Sequence, residues 1–522
     1  MKKHLLVLLH GFLGLMLGLL GATNTWAQDT QQGVEVLTRG PIHEAFAEPL
    51  TVNPRPNPII HQKPPTAIEE LPPDQKPEGS NIQWIPGYFA WDETGNDYIW
   101  ISGLWRATPP GRQWMPGHWT NEADGWQWIS GYWAVDGQVD FEYLPQPPTS
   151  IDRGPSAQAP DANSLYTPGT WVYQNGRYLW RPGFWYAARP DWFYNPASYT
   201  YTSAGYLYSD GYWDYPLDRR GMLFAPARFS GDLWRTSGWN YQPRYAIGGQ
   251  GLLSSLFVRP DFNRYYFGDY YGSQYNRQGF VPWFDHRMGA NTSDPLFNYS
   301  RWNSRADTQW EGNLRALNKD RLAGNAARPP VTLVKQNEFI QNVTVNKKVQ
   351  IGTKTVSVTD PQGVLKHMPV IAPLNKVEHK EFKLQPVAKT TAAEERKAAQ
   401  QSAAAALARQ QREAKIISQG AHPATPTSPP ARIKIEQPKV SMPPRVIHAP
   451  APAAPVVPKH VDQPIPKHVP VQPIHVNPPP NKGKGKGALQ LEREMFNTVG
   501  AVASVSEDRD GRCRYVVLAT AA

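Results

Sequence analysis

Eight short units of one spacing constrain this chain more than anything else in it. Each runs aromatic anchor, any residue, Pro, Ser or Asp, Gly, any residue, second aromatic, and they begin at Trp84, Trp100, Trp114, Trp128, Tyr166, Trp180, Tyr194 and Tyr208. The sixth position is Phe89, Trp105, Trp119, Trp133, Trp171, Trp185, Tyr199 and Trp213. The fourth is Gly87, Gly103, Gly117, Gly131, Gly169, Gly183 and Gly211, with Ala197 the one departure. After a first step of 16, the units follow at 14 residues within each group of four, which is the mark of a structural repeat.

A unit this short, with Pro or Gly at its centre, cannot be a helical hairpin. Further aromatics stand two residues before the anchor, at Tyr98, Trp126, Tyr178, Trp192 and Tyr206. That is the period of a strand. The second aromatic, five residues after the anchor, would fall on the opposite face, so a bulge with Gly at positive φ is expected to return it. Pairing successive units as antiparallel hairpins centres one turn on Asn175-Gly176, the strongest two-residue hairpin signal. The same arithmetic centres the others on Thr94-Gly95, Pro109-Pro110, Ala123-Asp124, Arg189-Pro190 and Ser203-Ala204. The expected fold is mainly β: an antiparallel β-meander of aromatic W-x-x-G-x-W repeats in two four-stranded groups, residues 81–139 and 164–230, joined by a linker at 140–163. Residues after the anchor are Ile85, Ile101, Met115 and Ile129 in the first group but Thr167, Arg181, Asn195 and Ser209 in the second. The first sheet should therefore be covered on both faces and the second wet on one.

Before the repeats, residues 1–27 read as a secretory signal peptide, with Lys2 and Lys3, an apolar stretch from Leu5 to Leu20, and Thr25-Trp26-Ala27 as the cleavage site. An uncleaved membrane anchor is the alternative; with the signal removed, no transmembrane span is expected. A single cysteine, Cys513, excludes an intrachain disulfide. Residues 28–80 read as an extended Pro-rich lead-in. Residues 231–327 should form an aromatic-rich cap on the second sheet, carrying Tyr265-Tyr-Phe-Gly-Asp-Tyr-Tyr271 and Gly279-Phe-Val-Pro-Trp-Phe284.

Charge then divides the chain. Residues 328–487 hold 24 Lys+Arg against 9 Asp+Glu, whereas residues 28–327 hold 24 against 30. Residues 328–390 are expected as a basic segment with weak β character and at most one hairpin, and 391–418 as one solvated helix rich in Ala, Gln and Arg. Residues 419–487 are expected as a long disordered Pro-rich tail, extended where it has any shape. That tail repeats Pro458-Lys-His-Val461 as Pro466-Lys-His-Val469. A C-terminal segment, 488–522, is too short to bury a core.

The eight units, the lead-in Arg39-Gly-Pro-Ile-His-Glu-Ala-Phe-Ala47 and the block from Ser255 to Trp302 together resemble the bacterial exported proteins named for their YXWGXW (WXXGXW) repeat. The resemblance covers roughly residues 35–330. It implies export, to the periplasm or the cell surface, and implies no activity, cofactor or catalytic residue.

No nucleophile elbow, phosphate loop or zinc-type cluster is present in the sequence, and no cofactor is expected. Carboxylates in and after the turns (Asp92, Glu93, Asp97, Glu122, Asp124, Asp136, Asp140, Glu142) could serve a glycosidase-like envelope hydrolase, although turn carboxylates are ordinarily solvated. His460, His468 and His475 invite a metal, which Lys459 and Lys467 oppose. The repeat aromatics are first of all core. Tyr98, Trp126, Tyr178, Trp192 and Tyr206 are the candidate platform on which a glycan ring could stack. Nucleic acid would need positive charge around them, and the repeat region is net acidic, so no specific nucleic-acid partner is expected. The preferred reading is a non-enzymatic exported protein with a structural or binding role in the cell envelope, its partner a glycan or, through the basic tail, an anionic envelope polymer.

Overall fold

The computed structural model describes residues 32–79, 81–231, 233–249, 251–377, 382–423, 425–437 and 451–466, with short strands at 475–476, 503–507 and 513–517. Residues 1–27, expected as a secretory signal, and much of the Pro-rich tail lie outside the described residues. Contacts divide the chain at Val476. The second unit, Asn477–Ala522, contains the antiparallel hairpin Ala503–Glu507 with Cys513–Val517.

The repeat builds four hairpins, each from two units. Hairpin A comprises Ile82–Ile85, Tyr88–Asp92, Asp97–Ile101 and Leu104–Ala107; hairpin B comprises Arg112–Met115, His118–Glu122, Gly125–Ile129 and Tyr132–Val135. Hairpin C comprises Ser164–Thr167, Thr170–Gln174, Arg177–Arg181 and Phe184–Ala187; hairpin D comprises Phe193–Asn195, Ser198–Thr202, Gly205–Ser209 and Tyr212–Asp214. Anchors and sixth-position aromatics oppose each other as the turn arithmetic requires: Trp84 with Trp105, Phe89 with Trp100, Trp119 with Trp128, Trp171 with Trp180, Tyr194 with Trp213. Their rings meet edge-on or tilted, with centroids 5.0–5.5 Å apart. Such contacts add about 0.5–1.5 kcal/mol each beyond burial. Asn175 and Gly176 take φ of 50° and 80° in the tight turn of hairpin C, as Asn-Gly allows.

Two expectations are corrected. The fold is mainly β and antiparallel, but the meander is not continuous: Trp100 does not pair with Trp119, nor Trp185 with Tyr194, and the turns expected at Pro109-Pro110 and Arg189-Pro190 do not form hairpins. Nor do the unit glycines sit at positive φ. Both strands of a hairpin are interrupted at the same level, Pro86-Gly87 opposite Ser102-Gly103, so register survives without a bulge. Glycine is needed there for room. A Cβ on Gly117 would stand 2.4 Å from the Trp128 ring and 2.6 Å from the Ile129 carbonyl, and one on Gly131 2.4 Å from the Trp114 ring. In each hairpin the anchor ring of one unit lies over the glycine of the other.

On one of its two edges each hairpin is met by a segment from outside its two units. The stretch Phe224-Ala-Pro-Ala-Arg-Phe229 keeps the aromatic spacing of a unit with Ala in place of Gly, and it returns to hairpin A, where Gly221–Leu223 and Ala227–Phe229 pair with the second unit and Val34–Val36 adds a further strand. Ile59–Ile60 pairs with hairpin B. Leu144 bridges Tyr206 of hairpin D, and Val461 bridges Trp180 of hairpin C.

The segments around the repeats are more structured than spacers. The lead-in is extended but buried: Ile42, Ala45 and Phe46 share a core with Trp114, Trp133 and Tyr194. Within the 140–163 linker, Asp140–Tyr143 pairs with Ala431–Lys434. The cap folds as the hairpin Leu256–Arg259 with Arg264–Phe267, followed by helices Ser273–Arg277, Pro295–Asn303 and Trp310–Ala323. It packs on the second group, Tyr299 meeting Phe193 at 5.6 Å. The basic segment supplies helix Leu333–Thr344 and one hairpin, Lys348–Ile351 with Lys354–Ser357. Ile85, Ile101, Met115 and Ile129 are buried, as expected, but so are Thr167 and Arg181, leaving only Asn195 and Ser209 half-buried.

The expected solvated helix is present as Lys389–Ser418, and it is not solvated all round. Ala398, Ala399, Ser402, Ala405, Arg409, Glu413 and Ile416 make a buried stripe against hairpins A and B. Small side chains let the helix approach closely, and its two buried charges pair with each other at 2.8 Å while Arg409 also donates to Pro116 O and Ser130 O of hairpin B.

Candidate binding cleft

Hairpins A and B, residues 63–70 and the long helix Lys389–Ser418 enclose a cleft of about 710 Å3. Tyr88, Phe89, Trp100, Trp114, Trp119, Trp126 and Trp128 line it on the hairpin side, and Ala399, Ala403, Ala406 and Leu407 on the helix side. Tyr88 stacks on Trp128 at 4.7 Å, and the buried Arg264 lies over both rings, 5.2 and 5.3 Å from their centroids. Lys63 sits 5.9 Å from the Trp126 ring, and Arg396 pairs with Glu69 at the rim.

Carboxylates stitch the Pro-Gly corners of the hairpins. Glu70 accepts from the Gly87 and Gly103 backbone N–H groups at 2.7 and 3.0 Å and from Trp100 Nε1 at 2.9 Å. Burial nevertheless raises its pKa to about 7, against those donors. Glu44 accepts from Gly131 N–H at 2.9 Å and Trp128 Nε1 at 3.1 Å, and burial raises its pKa as well. In hairpin C, Asp152 takes Gly169 N–H and Tyr166 Oη; in hairpin D, Asp210 takes Gly211 N–H, with Arg181 3.0 Å away. Neither Glu44 nor Glu70 stands out by sequence pattern. Their spacing to the repeat is irregular, and the available signal was only that each is an acidic residue inside an otherwise apolar or Pro-rich lead-in.

Two histidines face the same space. His43 Nε2 donates to Pro86 O at 3.1 Å while Nδ1 accepts from Ala45 N–H, so the ring is neutral, its pKa lowered to about 3 by burial. His118 Nε2 lies 3.2 Å from Glu413 Oε2. Burial works to raise the Glu413 pKa, but Arg409 and His118 outweigh it and hold the carboxyl down at about 2. Arg409 completes this knot, donating to Glu413, Pro116 O and Ser130 O, while Tyr143 Oη donates to Glu413.

The five platform candidates are not brought together. Tyr98, Tyr178, Trp192 and Tyr206 are buried: Tyr98 under Trp91 and Trp119, Tyr178 donating to Pro145 O, Trp192 stacked on Tyr215, Tyr206 against Tyr201. Period two places each on the anchor's face, and the anchor's face is the covered one. Trp126 alone is half-buried and lines the cleft. Structural residues Trp84, Trp105, Trp133 and Trp213 are core, whereas Trp185 is half-buried, its Nε1 donating to Ala157 O. The turn carboxylates are elsewhere. Asp92 pairs with Arg228, Glu93 with Arg259 and Glu142 with Arg432, and none of the eight lines the cleft. Among the described residues no His, Cys, Asp or Glu cluster could hold a metal ion.

The two-unit hairpin is also the unit of the sequence family. The family model of the WXXGXW repeat, in two copies, matches residues 84–106, 114–134, 165–186 and 204–217. The chain carries the WXXGXW repeat. The first three matches each span one hairpin of the WXXGXW array, A, B and C, and the fourth the second unit of D. No curated protein and no solved structure matches the chain.

Proposed function

We propose that this WXXGXW-repeat protein is an exported, non-enzymatic binding protein of the cell envelope, and that its cleft takes a glycan. The observation that carries the reading is the wall of the cleft, where Trp119 and Trp126 are half-buried rings at an opening large enough for a sugar residue or two. Flat apolar faces suit sugar rings, and Gln400, Gln410, Glu69 and Arg396 supply polar partners around them. Export rests on the N-terminal signal; among the described residues no helix is long and apolar enough to cross a membrane. A contribution from anionic polymer through the Lys-rich tail belongs to the same proposal. The rival reading, a hydrolase using turn carboxylates, has no carboxylate of that set at the cleft, and the two buried ones, Glu44 and Glu70, already accept from backbone and indole donors.

Titration of soluble peptidoglycan fragments and of a glycan array against the mature chain tests the reading. Trp126→Ala should weaken binding about tenfold, the loss of one stacking face, with an unchanged melting temperature. Binding that survives both Trp126→Ala and Trp119→Ala at full strength would reject the cleft as the site.

A further inference from the structure

Of the four hairpins, three have one edge met by segments from residues 34–229: hairpin A by Ala227–Phe229, B by Ile59–Ile60, D by Leu144. Hairpin C differs. Its edge at Trp180 is closed by Val461, far along the chain in the Pro-rich segment. Trp180 turns its backbone away from the partner strand, its N–H donating to Val461 O at 2.9 Å and its carbonyl accepting from Val461 N–H at 2.8 Å. His460 Nδ1 stands 3.2 Å from Gln174 Oε1, Asp462 3.1 Å from Arg177, and Trp213 Nε1 donates to Ala453 O.

This contact has the character of a bound peptide. Its polar contacts are few, the Arg177–Asp462 pair is well exposed, and Val456, at 93% exposed, buries almost nothing. The docked His460 and Val461 end the stretch Pro458-Lys-His-Val461, which recurs as Pro466-Lys-His-Val469. A related dipeptide, His475-Val476, pairs in parallel with Ile59–Ile60 beside hairpin B. Two of the three His-Val dipeptides of the tail thus lie on strand edges; His468-Val469 is outside the described residues.

We propose that the Trp180 edge of hairpin C is a docking site for extended Pro-Lys-His-Val peptide, filled by this chain's own first copy and able to accept its second. The recognition is strand addition: two backbone hydrogen bonds to Trp180 fix the peptide, Gln174 reads the histidine, and Arg177 reads an acidic residue after the valine. Val469 is followed by Pro470, without that acid, so the second copy binds more weakly. An edge strand left bare invites pairing with other chains, which gives the tail a reason to occupy it.

Hydrogen exchange at the Trp180 amide in the full chain tests this. Deleting residues 458–462 should speed exchange by about tenfold, the second copy giving partial cover, and deleting 458–469 should speed it by about a further tenfold. The synthetic peptide Pro-Lys-His-Val-Asp-Gln-Pro-Ile added to the longer deletion should restore protection, and the same peptide with Pro for Val should not. An amide as slow in the longer deletion as in the intact chain, or one the peptide fails to slow, overturns the site. Equal exchange in the two deletions overturns the role of the second copy.

Discussion

At the level of single residues, glycine and glutamate share the work at the Pro-Gly corners. The glycine leaves space for the opposing anchor ring, and its freed N–H needs an acceptor where water cannot reach. In hairpin A that acceptor is Glu70, a carboxylate with three donors and a pKa of about 7. Its folded-state pKa lies above the unfolded value of 4.5, so between the two the native state holds more protons than the unfolded state. Stability from this residue is therefore full below about pH 4.5 and is lost as pH rises through about 7, by about 3 kcal/mol in all. Chemical denaturation of the wild type and of Glu70→Gln between pH 4 and 8 reads it. The wild type should weaken across the interval and the variant should not; parallel profiles would mean that Glu70 does not titrate there. The glycines were legible as members of the pattern in seven of the eight units, but the reason for them was not. Spacing alone cannot distinguish a residue that needs positive φ from one that stands under an indole ring.

Elements divide the same way. Aromatic spacing and Asn175-Gly176 located every within-hairpin register, because those signals act across a few residues and both strands carry the same interruption. Which strands would not pair was illegible: the second and third units are closer in sequence than the first and second, and the competitor for that edge, Ala227–Phe229, lies more than a hundred residues away. The helix Lys389–Ser418 shows the limit from another side. Propensity placed it within two residues, yet a stripe of alanine reads as solvated until its target is known. Its anchorage rests on Arg409 and Glu413, both buried and paired at 2.8 Å. Arg409→Ala should cost about 3–5 kcal/mol by leaving the buried Glu413 charge with only His118 and Tyr143 beside it, whereas Arg409→Met with Glu413→Leu should cost less than that single change. Urea midpoints of the three chains decide it, and a double variant weaker than the single would show that the pair is a net source of stability.

For the whole molecule, the sequence suggested a folded acidic head trailing a flexible basic tail, and the described residues distribute the roles differently. Composition marks where charge and proline accumulate but not what they lie on. Residues after 388 complete the repeat region. Glu395 accepts from Trp84 N–H at 3.0 Å, Glu413 takes His118 and Tyr143, Ala431–Lys434 pairs with Asp140–Tyr143, and Ile435 is buried. A chain ending at residue 388 would open the cleft along its helix side and strand several buried polar groups at about 1–3 kcal/mol each. Its melting temperature should fall by about 10 °C or more, with red-shifted tryptophan emission as Trp84, Trp119 and Trp128 meet water, and the proposed glycan binding should weaken in step. The comparison is calorimetry and fluorescence on the truncated and mature chains at equal concentration. A truncated chain with the same melting temperature and emission would mean that hairpins A and B close on each other without the helix, and the cleft would then have to be assigned to the hairpins alone.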